Sequence, residues 1–248
     1  MFRNKFSKNI TFFVLVVISI LAWVYLWIDA SKMNSMSGMN KMNSSPWSIE
    51  ILFSNFLMWS IMMVAMMIPS AIPAISLYES MVKKNAEREI LLPAVWIFVL
   101  GYILIWTAFS LVITVIQALF LSLDWINMML VSKSIFLTSA ILIMAGIYQW
   151  LPIKSICLEK CRTPLNFFLG NWKKGNSGAL LMGIEHGSFC LGCCWVLMFM
   201  LFLAGVMNLI WVALITVFVF IEKVFPKGNL IGKTAGIIMI VAGLVQLI

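Results

Sequence analysis

The chain has 248 residues, of which 63% are hydrophobic and only 10% charged, with a mean hydropathy of +1.05. No soluble globular domain is built this way, and the formal net charge of +8 does not require nucleic acid, because the basic residues sit between apolar runs. The pattern predicts an all-α fold: a polytopic transmembrane helix bundle forming a single integral membrane domain over 1–248.

About seven runs are long and apolar enough to span a bilayer, over 10–28, 51–78, 91–119, 129–150, 178–203, 207–221 and 231–248. A membrane barrel alternates apolar and polar residues, and these runs are apolar throughout. Arg3, Lys5, Lys8, Lys83, Lys84, Arg88, Lys154, Lys160, Arg162, Lys173, Lys174, Lys223, Lys227 and Lys233 fall on one side of this arrangement. Lys32, Lys41 and Lys133 fall on the other. The positive-inside rule then puts the N-terminus in the cytoplasm and the C-terminus outside. The first run is long for a signal core, and Ile28-Asp29-Ala30-Ser31 is a poor cleavage site, so an uncleaved first span is expected.

The outward loop 29–47 is polar yet carries Met33, Met36, Met39 and Met42, one every third residue. Thioethers are neutral, soft ligands suited to Cu(I), so the spacing suggests metal capture; a loop that is simply Met-rich is the alternative. In the second span Met58, Met62 and Met66 follow an i, i+4, i+8 row, with Met63 and Met67 starting another. Flexible thioethers also serve as packing filler. Pro69 and Pro73 free backbone carbonyls and are expected to kink this helix near its inner end.

The inward segment 151–177 holds Cys157 and Cys161, a Cys-x3-Cys pair on one face of a helical turn, read as a loop at the cytoplasmic face. The pair suits Cu(I); two ordinary interface cysteines are the alternative, and a stable disulfide is not expected in a reducing compartment. The fifth span carries Glu185-His186-Gly187-Ser188-Phe189-Cys190-Leu191-Gly192-Cys193-Cys194, with the only histidine of the protein. At ~100° per residue, Cys190 and Cys193 fall within about 40° of His186. Met182 joins this stripe one turn earlier and Cys194 lies at its edge. The Met row and the stripe both lie ~12–24 Å from the surface at which their helices start, so in a ~30 Å core their depths overlap. Glu185 and Glu222 are expected to be structural or to support the ligands from behind. Gly183, Gly187, Gly192, Gly232, Gly236 and Gly243 give the fifth and seventh spans small faces for close packing.

Cu(I) on one thiolate is neutral, and so is Zn(II) on two, so charge leaves zinc possible while the methionines favour copper. The residues point to a membrane protein that binds Cu(I) for transfer, delivery or homeostasis. The alternative is a membrane oxidoreductase subunit with a copper, haem or dithiol centre.

Three blocks carry a family resemblance: Met-Trp-Ser-x2-Met-x2-Ala-Met-Met-x-Pro at 58–69, Tyr-Gln-x2-Pro-x-Lys-x2-Cys-Leu-x2-Cys-Arg-x-Pro at 148–164, and Gly-x2-Cys-x-Gly-Cys-Cys-Trp-x-Leu-Met at 187–198. The chain resembles a prokaryotic family of predicted metal-binding integral membrane proteins, formerly a domain of unknown function and copper-chaperone-like. The resemblance implies a multi-pass protein of a prokaryotic cell membrane that binds metal, and it implies no catalytic mechanism. Beyond the bilayer, the expected partners are a copper-receiving membrane enzyme or a soluble copper chaperone, with no role for nucleic acid.

Overall fold

The computed structural model describes residues 2–36, 45–84, 91–127, 130–170 and 172–247. They form ten helices: α1 (Phe2–Met36), α2 (Ile49–Lys84), α3 (Leu91–Ser122), α4 (Ile135–Tyr148), α5 (Pro152–Arg162), α6 (Pro164–Gly170), α7 (Gly175–Phe199), α8 (Leu201–Ala204), α9 (Leu209–Val224) and α10 (Gly228–Val245). No named strand occurs among the described residues; a single bridge joins Ile126 and Ser132.

Five helical stretches are long and apolar enough to cross a membrane: Ile10–Lys32, Ile49–Lys83, Pro93–Ser122, Gly175–Ala204 and Gly228–Val245. A sixth is available if α4 and α5, bent by 64°, act as one broken span. The sequence led us to expect about seven. The two runs that differ are 129–150 and 207–221. The first yields a helix of only 14 residues before the bend, and the second yields α9, with 16 residues. At 1.5 Å per residue these are ~21 and ~24 Å long, short of a ~30 Å apolar core. Ser134 and Asn208 fix their starts, each side chain accepting a backbone N–H three residues on. Pro152 opens α5 at its first turn, where the missing N–H costs nothing. Helix α1 continues through Met33 and Met36, so the outward methionine segment begins on a helix; Met39 and Met42 lie outside the described residues.

The helices are apolar on both faces. Trp59, Trp106, Phe98, Phe168 and Phe202 are buried between them, while Phe13, Trp27, Phe53, Phe136, Ile210 and Ile238 are exposed around the rim. A helix apolar all round belongs in a core or in lipid. With Pro69 lacking an N–H, the Ala65 carbonyl four residues earlier loses its helical donor. Ser19 of α1 donates to it at 3.4 Å, and α2 continues as one helix past both prolines.

Helices α3 and α7 cross with backbones in contact. A Cβ on Gly101 would meet Ile184 N at 3.0 Å and the Gly183 carbonyl carbon at 3.2 Å, and one on Gly183 would meet Phe98 Cα at 3.1 Å. Helices α4 and α10 close similarly, Gly236 lying where a Cβ would meet Gly146 O at 2.9 Å. These small residues replace side-chain interdigitation by direct backbone approach. At one end of the bundle, Trp27 and Ser31 of α1, Val131, and Asn208 line a common cavity. At the other end, Arg162 donates to Phe225 O at 2.8 Å and to Pro226 O, joining the end of α5 to the α9–α10 turn.

Gly101→Val forces α3 away from α7. Overpacking of this kind costs about 1–3 kcal/mol, and it is expected as a lower denaturation midpoint for Gly101→Val in detergent. The same change at Gly170, which has open space around it, is expected to leave the midpoint near wild type.

Candidate metal centre

The centre of α7 buries His186, Cys190, Cys193 and Cys194 together with Met182. Two thiols turn back on their own helix. Cys193 Sγ and Cys194 Sγ donate to Cys190 O at 3.0 and 2.9 Å, the i−3 and i−4 bonding open to short polar side chains. Cys190 Sγ points the other way. Tyr102 Oη of α3 lies 3.0 Å from it, and Lys223 Nζ of α9 donates to it at 2.9 Å.

Helix α5 brings the remaining thiols to the same place. Segment 152–162 is a helix packed on α7 rather than an inner loop. Gly192 makes the approach possible: a Cβ there would stand 2.8 Å from Cys157 Sγ. Just before the bend, Tyr148 Oη donates to Gly192 O and its ring meets Trp195 edge-on, centroids 5.7 Å apart. One turn beyond Cys157, the Cys161 side chain lies beside both Cys190 and Cys193. The pair expected at the cytoplasmic face and the stripe expected in mid-span therefore form one cluster, built from two elements.

The other expected ligands are spread differently. The His186 ring is caged by Tyr102, Phe98, Phe167 and Phe168, with centroids 5.9 to 6.4 Å away. Its Nδ1 is buried and has no hydrogen-bond partner, which is costly in an apolar cage unless a ligand completes it. Met182 Sδ accepts the Lys173 backbone N–H at 3.4 Å. Met58, Met62 and Met66 are buried in the apolar core that also holds Cys190, Cys193 and Cys194. The thioether seen nearest the thiols belongs to the other row: Met67 Sδ lies 3.9 Å from Lys223 Nζ. Nothing is described of the side chains of Met33 and Met36.

Lys223, Tyr102 and Ser70 went unnoticed in the sequence as parts of a site. Lys223 Nζ also reaches Ser70 Oγ at 3.1 Å. Its neighbour Glu222 faces the opposite way, onto Lys154 of α5, at 2.7 and 2.9 Å. Both members of that pair are at most 3% exposed, and Gln149 also accepts from Lys154. A Glu-Lys dipeptide at the end of an apolar run was the available signal. Adjacent helical side chains diverge by ~100°, so the two residues reach different partners. Glu185, on the outer side of α7, pairs with Lys173.

Among the described residues, no three His, Cys, Asp or Glu side chains stand arranged to hold a metal ion. Cys190, Cys193 and Cys194 are engaged instead in hydrogen bonds to a carbonyl, a phenol and an ammonium. The donor set nevertheless fits a soft ion: sulfur predominates, an unpartnered imidazole nitrogen is at hand, and each hydrogen bond is one that a metal–sulfur bond can replace. Fold and site together define an all-helical protein, with five or six helices of membrane-crossing length and a thiol cluster closed inside the bundle. Residues 56–246 match the PpoB2 family, described as copper chaperone, and the chain belongs to that family. Neither a curated protein nor a solved structure gives a match.

The Lys154–Glu222 pair secures α5 and its two thiols to α9. Removing one partner of a buried ion pair costs about 3–5 kcal/mol, while replacing both by apolar groups of similar size is often close to neutral. Glu222→Gln and Lys154→Met are each expected to lower stability strongly. The double variant Lys154→Met/Glu222→Leu is expected to recover most of the loss, read as denaturation midpoints of the purified proteins.

Proposed function

We propose that the protein is an integral membrane Cu(I)-binding protein of the cell membrane that holds copper as cargo and passes it to another protein. The observation that carries this reading is the meeting of Cys161 with Cys190 and Cys193 across the α5–α7 contact. Three thiols from two helices converge within an apolar interior, where unpaired polar groups are expensive. Cys190 and Cys193 supply thiols from α7 and Cys161 from the broken half-span. Cys157 and Cys194, on the same two helices, and His186, one turn before Cys190, are the further donors of this reading.

Charge supports a monovalent ion. The centre holds one ammonium, from Lys223, against the Cys190 sulfur. Glu222 is matched separately by Lys154. A single positive charge is therefore what the cluster is balanced to hold, and Cu(I) on a thiolate satisfies it where Zn(II) requires a second thiolate. The distribution of basic residues supports an inward N-terminus, and an outward C-terminus where α9, ~24 Å long, crosses as a short seventh span beside the broken one. On that orientation the broken α4–α5 span leads from the outer side down to the thiols, and the methionines of α2 and of the 29–47 segment lie outward of them as capture and relay donors.

Loss of a group that merely supports a ligand lowers metal affinity 10–100-fold, so loss of a ligand is expected to cost at least that much. Protein purified under reducing conditions is expected to carry Cu(I), and Cys190→Ser/Cys193→Ser and Cys161→Ser are each expected to abolish it, as measured by elemental analysis. Copper unchanged in both variants rejects the centre. Zinc in place of copper keeps the centre and rejects the ion. A haem band in the absorbance spectrum favours an oxidoreductase instead.

A further inference from the structure

A polar cleft of about 670 Å³ opens between α5 and the α9–α10 turn. Ser155, Glu159, Arg162 and Thr163 line it on one side and Asn229 on the other, with Lys223 contributing to its wall. Lys223 is otherwise buried, 7% exposed, and its Nζ is the group 2.9 Å from Cys190 Sγ. One residue thus stands both at the cleft wall and, through its ammonium, at the thiol cluster. The cleft lies where α9 stops at Val224, after ~24 Å of helix, and the chain turns back into α10.

We propose that this cleft is the port through which Cu(I) reaches and leaves the thiol cluster, and that Lys223 is its gate. The proposal rests on the copper reading above. The ammonium of Lys223 sits on Cys190 Sγ, one lysine side chain's length from the cleft wall at which Lys223 stands. With the Cys190 sulfur as thiolate, an ion arriving there breaks the ammonium–sulfur contact and forms a copper–sulfur bond. The ammonium swings into the cleft, where the Glu159 carboxylate and water receive it. One positive charge replaces another, no electron moves, and the buried charge is the same before and after. Release is the reverse. A cation entering a low-dielectric interior without such an exchange leaves its charge uncompensated. Lys223 is a positioning residue in this scheme: it holds the cluster ready and does not ligate.

The test uses full-length protein in lipid nanodiscs, loaded anaerobically with Cu(I) so that the native thiols are protected by metal. A cysteine placed in the cleft by Thr163→Cys is then capped with a bulky maleimide, and release of copper to bathocuproine disulfonate is followed by absorbance. Capped wild type is the reference, and capped Ser31→Cys, in the cavity at the opposite end of the bundle, is the control. Capping position 163 is expected to slow release by roughly tenfold or more with copper content unchanged, since obstruction acts on the rate and not on the number of sites. Capping position 31 is expected to change nothing. Should Thr163→Cys fail to fold, Asn229→Cys probes the same cleft. Lys223→Ala, which removes the cation that takes the place of copper on Cys190, is expected to release copper several-fold more slowly than wild type. Equal release from the capped and uncapped cleft overturns the port, as does slowing from position 31 instead. Release from Lys223→Ala at or above the wild-type rate removes Lys223 as the gate. Wild-type protein that takes up no Cu(I) at all defeats the copper reading itself, a result distinct from any of these.

Discussion

A charge enclosed by apolar helices has to be matched by another within the protein, and the two charged residues at the end of α9 meet that demand in opposite directions. Glu222 faces α5 and is held by Lys154; Lys223 faces α7 and α2 and is held by Cys190, Ser70 and the Met67 thioether. Much of the centre follows from this arrangement. Pairing through Glu222 keeps α5 against the bundle, which places Cys161 over Cys190 and Cys193. Pairing through Lys223 ties the thiols to α9. In low dielectric these contacts are strong, and the cost of leaving either charge alone is high enough to fix the orientation of α9 about its own axis.

Close backbone approach supplies the second condition. Gly192 admits Cys157, Gly183 admits the backbone of α3, and Gly146 and Gly236 seat α10 on α4. Apolar side chains drive helices together weakly when their surroundings are equally apolar, so fit and small residues decide which faces meet. The thiols are consequently set by the same glycines that set the helix packing, and a side chain added at Gly192 acts on the centre through Cys157 before it touches any ligand of α7.

The helical class of the fold could be read from the hydrophobic runs because nothing else sustains such lengths without charge. The runs were less informative about where a helix starts and stops: Leu130, Val131, Trp150 and Leu151 are apolar yet lie outside α4 and α5, so the short α4 and the bend after it were not visible. The α7 stripe was legible from its 3.6-residue period. Its union with Cys157 and Cys161 was not, because their proximity depends on a 64° bend, a tertiary feature that periodicity does not encode. Lys223 shows the same limit from another side. In the sequence it stands only among the inward basic residues, and its partners come from α2 and α7, far away in sequence.

The hydrogen bonds of Arg162 to Phe225 O and Pro226 O have a mechanical implication. Arg162 follows Cys161 directly, and Phe225 stands two residues after Lys223, so this clamp fastens the helix bearing a thiol to the helix bearing the ammonium. A partner that grips the α9–α10 turn pulls on both at once, and cannot shift Lys223 off Cys190 without loading the α5 contact that holds Cys161 in place. Docking at that turn and the geometry of the sulfur cluster are thereby linked through three peptide carbonyls' length of chain and one guanidinium.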